Sequence, residues 1–449
     1  MSPAAGGPVR RRGLALGTRP AGLAGRDWLL LGIGLAVALA IRAVLLPQPG
    51  LAGDVDDFLA WARAIGADGL GRAYDEAVSF PPVLPWLWWI TGWLAPGLLS
   101  PVPNDPLALA LIKLPATLAD LGIAAFVGYG LRAWPGWAVA GALAILLHPA
   151  VWYVSAWWAQ FESLYVLPML AGWALLTRGR PGWAALAIAI GLMTKPQALP
   201  LAIPFAAYYL RRFGLGGSAR AVAVAVATAA VLWAPFVAVG GLGNYLRNLA
   251  DYSALFSVLS LRAWNPWWIL SDLAAGGRLV VDDIPIVGPI TLRWVGFAIA
   301  GLLELAVFLW VWRRPTASGL VWGLAAASLA AFVGLTAMHE RYAWAAVVFL
   351  VLCWPDRLAV STWMLVSVTV ALNMVAAVPP SGEPESLLPV GGVVGIVGSV
   401  AMTAGLVATL WGLRRRDLAA VRSGEAADGT APGTPGHTSE GTGAATSGA

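Results

Sequence analysis

The feature that most constrains this chain is a succession of long apolar runs separated by short polar segments. A helix needs roughly 20 apolar residues to cross a bilayer, and such runs recur between residues 27 and 413. Apolar residues make up 59% of the chain and charged residues 11%, whereas an average soluble domain carries about 25% charge. The sequence therefore predicts an all-α polytopic membrane protein and excludes a soluble globule or a wholly disordered chain.

Cysteine and histidine are too scarce for two other classes of protein. The only cysteine is Cys353, and the histidines are His148, His339 and His437. A disulfide scaffold is excluded, and so is a four-ligand zinc site built from cysteine and histidine. The net charge of +5 follows from arginine in cytoplasmic loops, so it predicts no nucleic-acid partner.

Arginine sets the predicted orientation, because cytoplasmic loops hold the excess positive charge. Arginines precede the first apolar segment and Arg414–Arg416 follow the last, which places both termini inside and requires an even number of spans. Thirteen segments are candidates, one too many. They lie near 27–46, 82–99, 107–131, 136–155, 160–177, 182–194, 197–210, 219–240, 290–312, 317–337, 343–354, 358–378 and 390–413.

The extra segment is 82–99. Suppose that every segment after residue 107 crosses the membrane. The arginine pairs at 178 and 180, 211–212 and 313–314 are then all cytoplasmic only if segment 82–99 does not cross. This segment is rich in proline, which breaks helices, and in tryptophan, which favours the membrane interface. We therefore expect about twelve spans, with 47–106 forming one long outer loop that carries juxtamembrane helices. The short segments 182–194, 197–210 and 343–354 are expected to be partly sheltered by protein.

Four regions follow from this topology. They are a disordered cytoplasmic N-terminus (1–26), a first membrane module (27–240) with its outer loop 47–106, a second membrane module (241–413) with its outer loop 241–289, and a disordered cytoplasmic tail (414–449).

Three carboxylates open the first outer loop, at Asp54, Asp56 and Asp57. Apolar residues recur at helical spacing after them, which predicts a surface helix starting after an Asp cap. Helix capping and solvation are one explanation of the acids, and metal binding by a D-x-D pattern is another. A catalytic carboxylate is the third. The apolar positions are Phe58, Trp61, Ala62 and Ile65.

Further polar residues are expected at the outer face. They are Gln160 and Glu162 in the second outer loop, Lys195 and Gln197 in the third, Lys113 at the start of the second span, Arg247, Arg262 and Asn265 in loop 241–289, and His339, Glu340 and Arg341 after the ninth span. Asp120 shares a helix face with Lys113 two turns deeper, and either pairs helices or belongs to the site. Cations at this face predict an anionic head group, most naturally a phosphate, beside a carboxylate base.

Ordered short motifs between residues 27 and 378 support a closer comparison. They are Gly53-Asp54, Phe80-Pro81-Pro82-Val83, Lys113 with Asp120, Gln160-Phe161-Glu162, Lys195-Pro196-Gln197, Asn265-Pro266-Trp267 and His339-Glu340-Arg341. In this order the chain resembles the GT-C superfamily of polyprenyl-phosphate-sugar-dependent glycosyltransferases, especially bacterial relatives of the dolichyl-phosphate-glucose glucosyltransferases. It is similar, more loosely, to protein O-mannosyltransferases.

The resemblance implies that a hexose, mannose or glucose, is transferred from a polyprenyl phosphate to a hydroxyl of a glycan, lipid or protein. It implies Asp54 as the general base, with Asp56 and Asp57 as alternates because the register is ambiguous. Glu162 is a second catalytic candidate, and Lys195, Arg262, His339 and Arg341 are candidates for holding the phosphate. The reaction would occur at the outer face of the plasma membrane, with inversion at the sugar carbon, no metal and no cofactor beyond the lipid-linked sugar donor. The resemblance also implies that residues 27–240 form the catalytic module and residues 241–413 the variable module.

Two rival functions remain. A transporter or lipid flippase for an anionic lipid-linked substrate would also have twelve spans, although no half repeat is visible in this sequence. A non-catalytic envelope scaffold would not need acids and cations converging at one face.

Overall fold

The structure is a computed structural model in which residues 22–423 are described, residues 416–423 by backbone alone. The predicted terminal regions 1–26 and 414–449 therefore lie largely outside the described residues. The described chain is mostly helical, with only short two-stranded pairings. The helices are α1 (Gly25–Leu45), α2 (Ala52–Asp68), α3 (Val83–Leu94), α4 (Pro106–Gly130), α5 (Pro135–Leu146), α6 (Pro149–Trp152), α7 (Glu162–Thr177), α8 (Pro181–Leu192), α9 (Leu199–Val237), α10 (Gly241–Leu255), α11 (Pro266–Ala275), α12 (Leu292–Arg313), α13 (Ala317–Gly334), α14 (Trp344–Val351), α15 (Arg357–Ala377) and α16 (Gly392–Ser423).

Within residues 22–423, seven helices are long and apolar enough to cross a membrane, or eight if the bent pair formed by α5 and the segment Pro149–Trp157 is one span. The seven are α1, α4, α9 with the turn before it, α12, α13, α15 and α16. The protein is thus an all-α polytopic membrane protein, as the sequence predicts. Large apolar side chains on α1 and α12, such as Leu29 and Leu302, are exposed, as expected for helices that face lipid.

The predicted segments 197–210 and 219–240 correspond to the two parts of α9. The break between these parts lies at Gly214, whose φ of 65° is not helical. Glycine tolerates this left-handed backbone without steric cost. At 39 residues, α9 would measure about 58 Å, nearly twice the roughly 30 Å apolar core of a bilayer. The exposed Arg211 and Arg212 lie just before the break.

The short predicted segment 343–354 contains α14, an eight-residue helix whose side chains are all buried. It is surrounded by α13, α15 and other helices. A helix this short, about 12 Å, cannot cross the bilayer by itself. Its enclosure by protein matches the expectation of sheltering, because backbone that ends at membrane depth needs polar partners within the protein. Helix α16 extends to Ser423, past the predicted span end at 413.

The segment between α1 and α4, which the sequence predicts to be the first outer loop and which is called the first outer segment below, folds into α2, a 3₁₀ turn (Leu70–Asp75) and α3. Helix α3 has twelve residues, about 18 Å, which is too short to cross the membrane. It crosses α2 where a Cβ on Gly66 would lie 2.9 Å from the Gly92 Cα. The two backbones touch because neither glycine carries a side chain, so α2 and α3 form one tightly packed unit beneath an aromatic cluster that includes Phe58 and Trp88.

The start of α2 corrects one sequence expectation. The helix begins at Ala52 with Leu51 at the N-cap position, rather than after a capping Asp57. The acids therefore lie inside the first turns of the helix, where the helix dipole favours negative charge. Of the four residues on the predicted apolar face, Phe58, Ala62 and Ile65 are buried and Trp61 is half-buried.

The segment between α9 and α12, which the sequence predicts to be a large outer loop and which is called the second outer segment below, consists of α10, strand β1 (Ser260–Leu261), α11 and the hairpin of β2 (Pro285–Val287) and β3 (Ile290–Thr291). Strand β1 pairs in parallel with β4 (Met338–His339), the segment that follows α13. The Asn248 side chain joins α10 to the first outer segment by donating to the carbonyls of Tyr74, Glu76 and Val78. Loops from both halves of the chain therefore meet at one place.

Candidate active site

A cavity of about 570 Å³ lies where these outer segments meet the membrane helices. One wall is the face of α2 that carries Asp54, Asp57, Phe58 and Trp61, residues spaced by three or four along the helix. The remaining polar lining comes from elsewhere in the chain. It comprises Ser79, Gln160, Lys195, Gln197, Tyr252, Ser253, Asp282, Arg293, Thr336, His339, Arg341 and Tyr342.

Asp54 is held by two donors on a single carboxylate oxygen. The Trp158 indole nitrogen donates to Oδ2 at 2.8 Å, and the Gln160 amide nitrogen donates to the same oxygen at 2.5 Å. These contacts fix the carboxylate while Oδ1 remains for a ligand in the cavity. A carboxylate oriented in this way can accept a proton from a hydroxyl placed beside it.

The two neighbouring acids differ from Asp54. Asp56 is exposed and does not line the cavity. Asp57 lies one turn along from Asp54 and does line it. Burial, followed by the charges of Asp54 and Asp56, raises the pKa of Asp57.

A buried ion network stands beside Asp54. Lys195 Nζ lies 2.7 Å from Glu162 Oε1 and 3.1 Å from Gln160 Oε1. Arg341 Nε lies 3.3 Å from the same Glu162 oxygen, and Arg341 Nη1 lies 3.0 Å from Glu340 Oε1. Gln160 thus joins Asp54 to Lys195, and Glu162 joins Lys195 to Arg341.

The network contains two cations and two carboxylates, which balances its formal charge. Burial lowers the pKa of Lys195 to about 8, despite the opposing charge of Glu162. Burial also raises the pKa of Glu340. Burial together with the charges of Arg341 and Lys195 holds the pKa of His339 well below its usual range, so His339 is neutral at pH 7. Arg341 also lies 4.7 Å over the Trp158 ring, within cation–π range.

Lys113 and Asp120 lie away from the cavity. Both face the end of α1, as their shared helix face predicts. Lys113 Nζ donates to the carbonyls of Leu46 and Gln48, where a cation stabilises the carbonyl end of a helix. Asp120 forms a buried ion pair with Arg42 at 3.1 Å and accepts hydrogen bonds from Ser155 and Ser163. These contacts fit the pairing of helices, one of the two roles considered for Asp120.

The predicted residues of the loop 241–289 also lie outside the cavity lining. Arg247 donates to Asn244 on the exposed side of α10. Arg262 does not line the cavity, although its carbonyl accepts a hydrogen bond from Asn373. Asn265 caps α11 by accepting from the Trp268 backbone and donates to the Phe332 carbonyl.

Sequence reasoning missed Trp158 and the group formed by Asp282, Arg293 and Thr336. Trp158 had no signal of its own in a chain with 25 tryptophans. Arg293 did carry one. It stands at the predicted outer end of a span, where the positive-inside rule does not place arginine.

A second cavity, of about 450 Å³, adjoins the first and runs between α9, α12 and α13. Both cavities are lined by Pro196, Gln197, Phe297, Leu335, Met338 and Tyr342. We call the second cavity the apolar groove, because most of its lining is hydrocarbon. One face of α12 passes from Arg293 in the first cavity through Phe297 to Glu304 in the groove. Glu304 is 7% exposed, and neither of its carboxylate oxygens has a hydrogen-bond partner among the described residues.

No protein-family model matches this chain, and no curated protein matches its sequence. Within residues 22–423, no three His, Cys, Asp or Glu side chains are grouped as metal ligands. The geometry of these side chains therefore carries the functional conclusion.

Proposed function

We propose that this protein is a membrane glycosyltransferase of the GT-C type. It moves a hexose, mannose or glucose, from a polyprenyl-phosphate sugar to a hydroxyl of a glycan, lipid or protein acceptor at the extracytoplasmic face. The observation that carries the proposal is the position of Asp54. Its carboxylate faces a cavity that Lys195 and Arg341 also line, and this cavity adjoins the apolar groove between α9, α12 and α13.

The proposed reaction uses each part of this arrangement. The acceptor oxygen attacks the sugar carbon, the bond from that carbon to the phosphate oxygen breaks, and Asp54 takes the acceptor proton. The polyprenyl phosphate leaves with the bond's electron pair. Lys195 and Arg341 stabilise the charge that develops on it, and neutral His339 is a further hydrogen-bond donor at the same wall. The apolar groove holds the prenyl chain.

The membrane topology is part of the proposal. We propose twelve crossings, with both termini cytoplasmic and the cavity outside the plasma membrane. The crossings would be α1, α4, α5 with α6, α7, α8, residues 199–213 and 215–237 of α9, α12, α13, α14, α15 and α16. Helices α8 and α14 are too short to cross by themselves, so the residues on either side of each would complete those two crossings. A reporter fused after residue 100, between α3 and α4, is expected to face outward, and a cytoplasmic signal there would overturn this topology.

The test of the function is donor turnover by purified protein. Incubated with a panel of polyprenyl-phosphate sugars and acceptor glycans, the wild type is expected to consume one donor. Asp54→Asn keeps the shape of the side chain and removes its basicity, so we expect about a 10²- to 10⁴-fold loss of rate. Asp56→Asn is the matched control, since Asp56 is exposed and outside the cavity.

Two results would contradict this assignment. If Asp54→Asn keeps full activity and Asp57→Asn loses it, the general base is Asp57, one turn further along α2, and not Asp54. Failure of the wild type to consume any lipid-linked sugar would contradict the transferase proposal itself.

One observation favours a second candidate function, a transporter or flippase for an anionic lipid-linked substrate. Glu304 is an unpartnered acid within a membrane helix, and such acids commonly serve proton relays. Under this alternative, protein in liposomes would move a fluorescent polyprenyl phosphate between leaflets. Glu304→Gln would stop the movement, and Asp54→Asn would not.

A further inference from the structure

A buried carboxylate fixes an arginine at the boundary between the cavity and the apolar groove. Arg293 Nε lies 3.1 and 3.0 Å from the two carboxylate oxygens of Asp282, and Arg293 Nη2 lies 2.5 Å from Oδ1. The Thr336 hydroxyl donates to Asp282 Oδ2 at 2.6 Å. The Arg293 backbone N–H also donates to the Asp282 carbonyl at 2.9 Å. This arrangement ties the outer loop to the start of α12 and the end of α13.

The arginine is nevertheless open to a ligand. Asp282 is fully buried, whereas the Arg293 side chain is 36% exposed and lines the cavity. The described contacts of its guanidinium use Nε and Nη2, so Nη1 remains for an anion. Because Asp282 already holds the guanidinium group through Nε and Nη2, little side-chain entropy is lost when Nη1 binds a phosphate. This favours phosphate recognition.

The other cations of the cavity are less accessible. Lys195 and Arg341 are 1% and 5% exposed and are engaged with Glu162 and Glu340. An anion that took up either cation fully would have to displace a buried carboxylate, which is costly. Arg293 can meet an anion without breaking that network.

The position of Arg293 also matches an amphiphile. It lies in the first turn of α12, where the helix dipole favours negative charge. The same face of α12 continues through Phe297 and Ala300 to Gly301 in the groove. A lipid whose chain lay along this face would bring its phosphate to Arg293.

We propose that Arg293 binds the phosphate of the prenyl lipid, and that Asp282 and Thr336 are positioning residues that hold its guanidinium in place. This inference rests on the proposed function, since it concerns the phosphate of the same donor. It places a third cation, on α12, at the same phosphate, where Arg293 binds the non-bridging oxygens and Lys195 and Arg341 face the oxygen that leaves the sugar carbon.

The test compares a C20 prenyl monophosphate with the C20 prenyl alcohol, each titrated into the full-length protein in nanodiscs. The wild type is expected to prefer the phosphate. Arg293→Gln is expected to weaken phosphate binding about 10- to 100-fold, the range for a lost charge-assisted hydrogen bond, and to leave alcohol binding unchanged. Asp282→Asn and Thr336→Val should reduce the same preference by less, and Arg293→Lys should keep part of it.

The matched control is Arg278→Gln, which removes an exposed arginine from the same outer loop, outside the cavity lining. If the wild type prefers the phosphate and Arg293→Gln keeps that preference, this inference is overturned and the proposed function stands. If the wild type binds the prenyl monophosphate and the prenyl alcohol equally well, this inference and the proposed function are both overturned. Inorganic phosphate that binds as tightly as the prenyl monophosphate would overturn the role of the groove.

Discussion

Glu162 is the carboxylate that two buried cations share, so its neutralisation is the sharpest test of the ion network. Glu162→Gln keeps the size of the side chain and removes its charge. Its Oε1 lies 2.7 Å from Lys195 Nζ and 3.3 Å from Arg341 Nε. After the substitution Lys195 has no carboxylate in contact with it among the described residues, because Glu340 contacts Arg341 and Asp54 acts on Lys195 only at longer range.

The size of the effect follows from these distances. At an effective dielectric constant of about 20, the two attractions are worth roughly 6 and 5 kcal/mol. Part of that energy offsets the cost of removing the charges from water. Breaking a buried pair by removing one partner costs about 3–5 kcal/mol in measured cases, and we expect Glu162→Gln to lower the free energy of unfolding by about this amount.

Two further variants separate charge from packing. Lys195→Met should cost less than Glu162→Gln, because Glu162 keeps Arg341 as its partner and Glu340, whose pKa is already raised by burial, can take up a proton. The double variant Glu162→Gln/Lys195→Met leaves a balanced pair of Arg341 and Glu340. It should therefore recover most of the stability that Glu162→Gln loses.

The chain contains its own reporter for this experiment. Its single cysteine, Cys353, is 4% exposed, so a thiol-reactive fluorogenic dye will label it only as the protein unfolds. The unfolding temperature in detergent should fall in the order wild type, double variant, Glu162→Gln. The network does not hold these segments together if Glu162→Gln unfolds at the same temperature as the wild type, or if the double variant unfolds at no higher temperature than Glu162→Gln.

Three other predictions concern the parts around the network. Because burial lowers the pKa of Lys195 from 10.5 to about 8, the unfolded chain binds more protons than the folded protein between these values, so stability should rise with pH from 8 to 10. Thermal scans should show this rise in the wild type and not in Lys195→Met. Gly66→Val should destabilise the first outer segment by about 1–3 kcal/mol, since its Cβ would lie 2.9 Å from the Gly92 Cα. The control is Gly53→Ala, which has open space around it and should unfold at the same temperature as the wild type. Gly69→Ala cannot serve as a control because Gly69 has a positive φ. Asn248→Ala should speed hydrogen exchange in α10 without lowering the global unfolding temperature, because three carbonyls of the first outer segment lose their donor.

The class of the protein could be predicted from sequence because apolar run length and arginine placement are local signals. The same signals indicated that α3 does not cross the membrane. The break in α9 was harder to place. Residues 211–218 combine arginine and glycine, which the sequence suggested was a loop, yet the chain needs only Gly214 in a left-handed conformation to turn there.

The site was only partly predictable, because the direction of a side chain depends on its neighbours in space. Asp54, Gln160 and Lys195 lie together, and their positions at the ends of outer segments gave the clue. Lys113 has the same kind of position but faces the end of α1. Arg293 was overlooked because its apolar surroundings made it part of a span, and only the folded loop brings Asp282 to it.

The ion network also bears on how the chain enters the membrane. Lys195 and Glu162 both belong to the first half of the chain and contact each other, and Arg341 and Glu340 are adjacent in the second half. Each half thus brings its own counter-charge, which matters because a buried charge left without its partner costs about 3–5 kcal/mol. Only the contact between Arg341 and Glu162 joins the two pairs. The two halves can therefore enter the membrane one after the other during synthesis, each with its charges balanced. The contact between them forms once Arg341 has been synthesised and reaches Glu162.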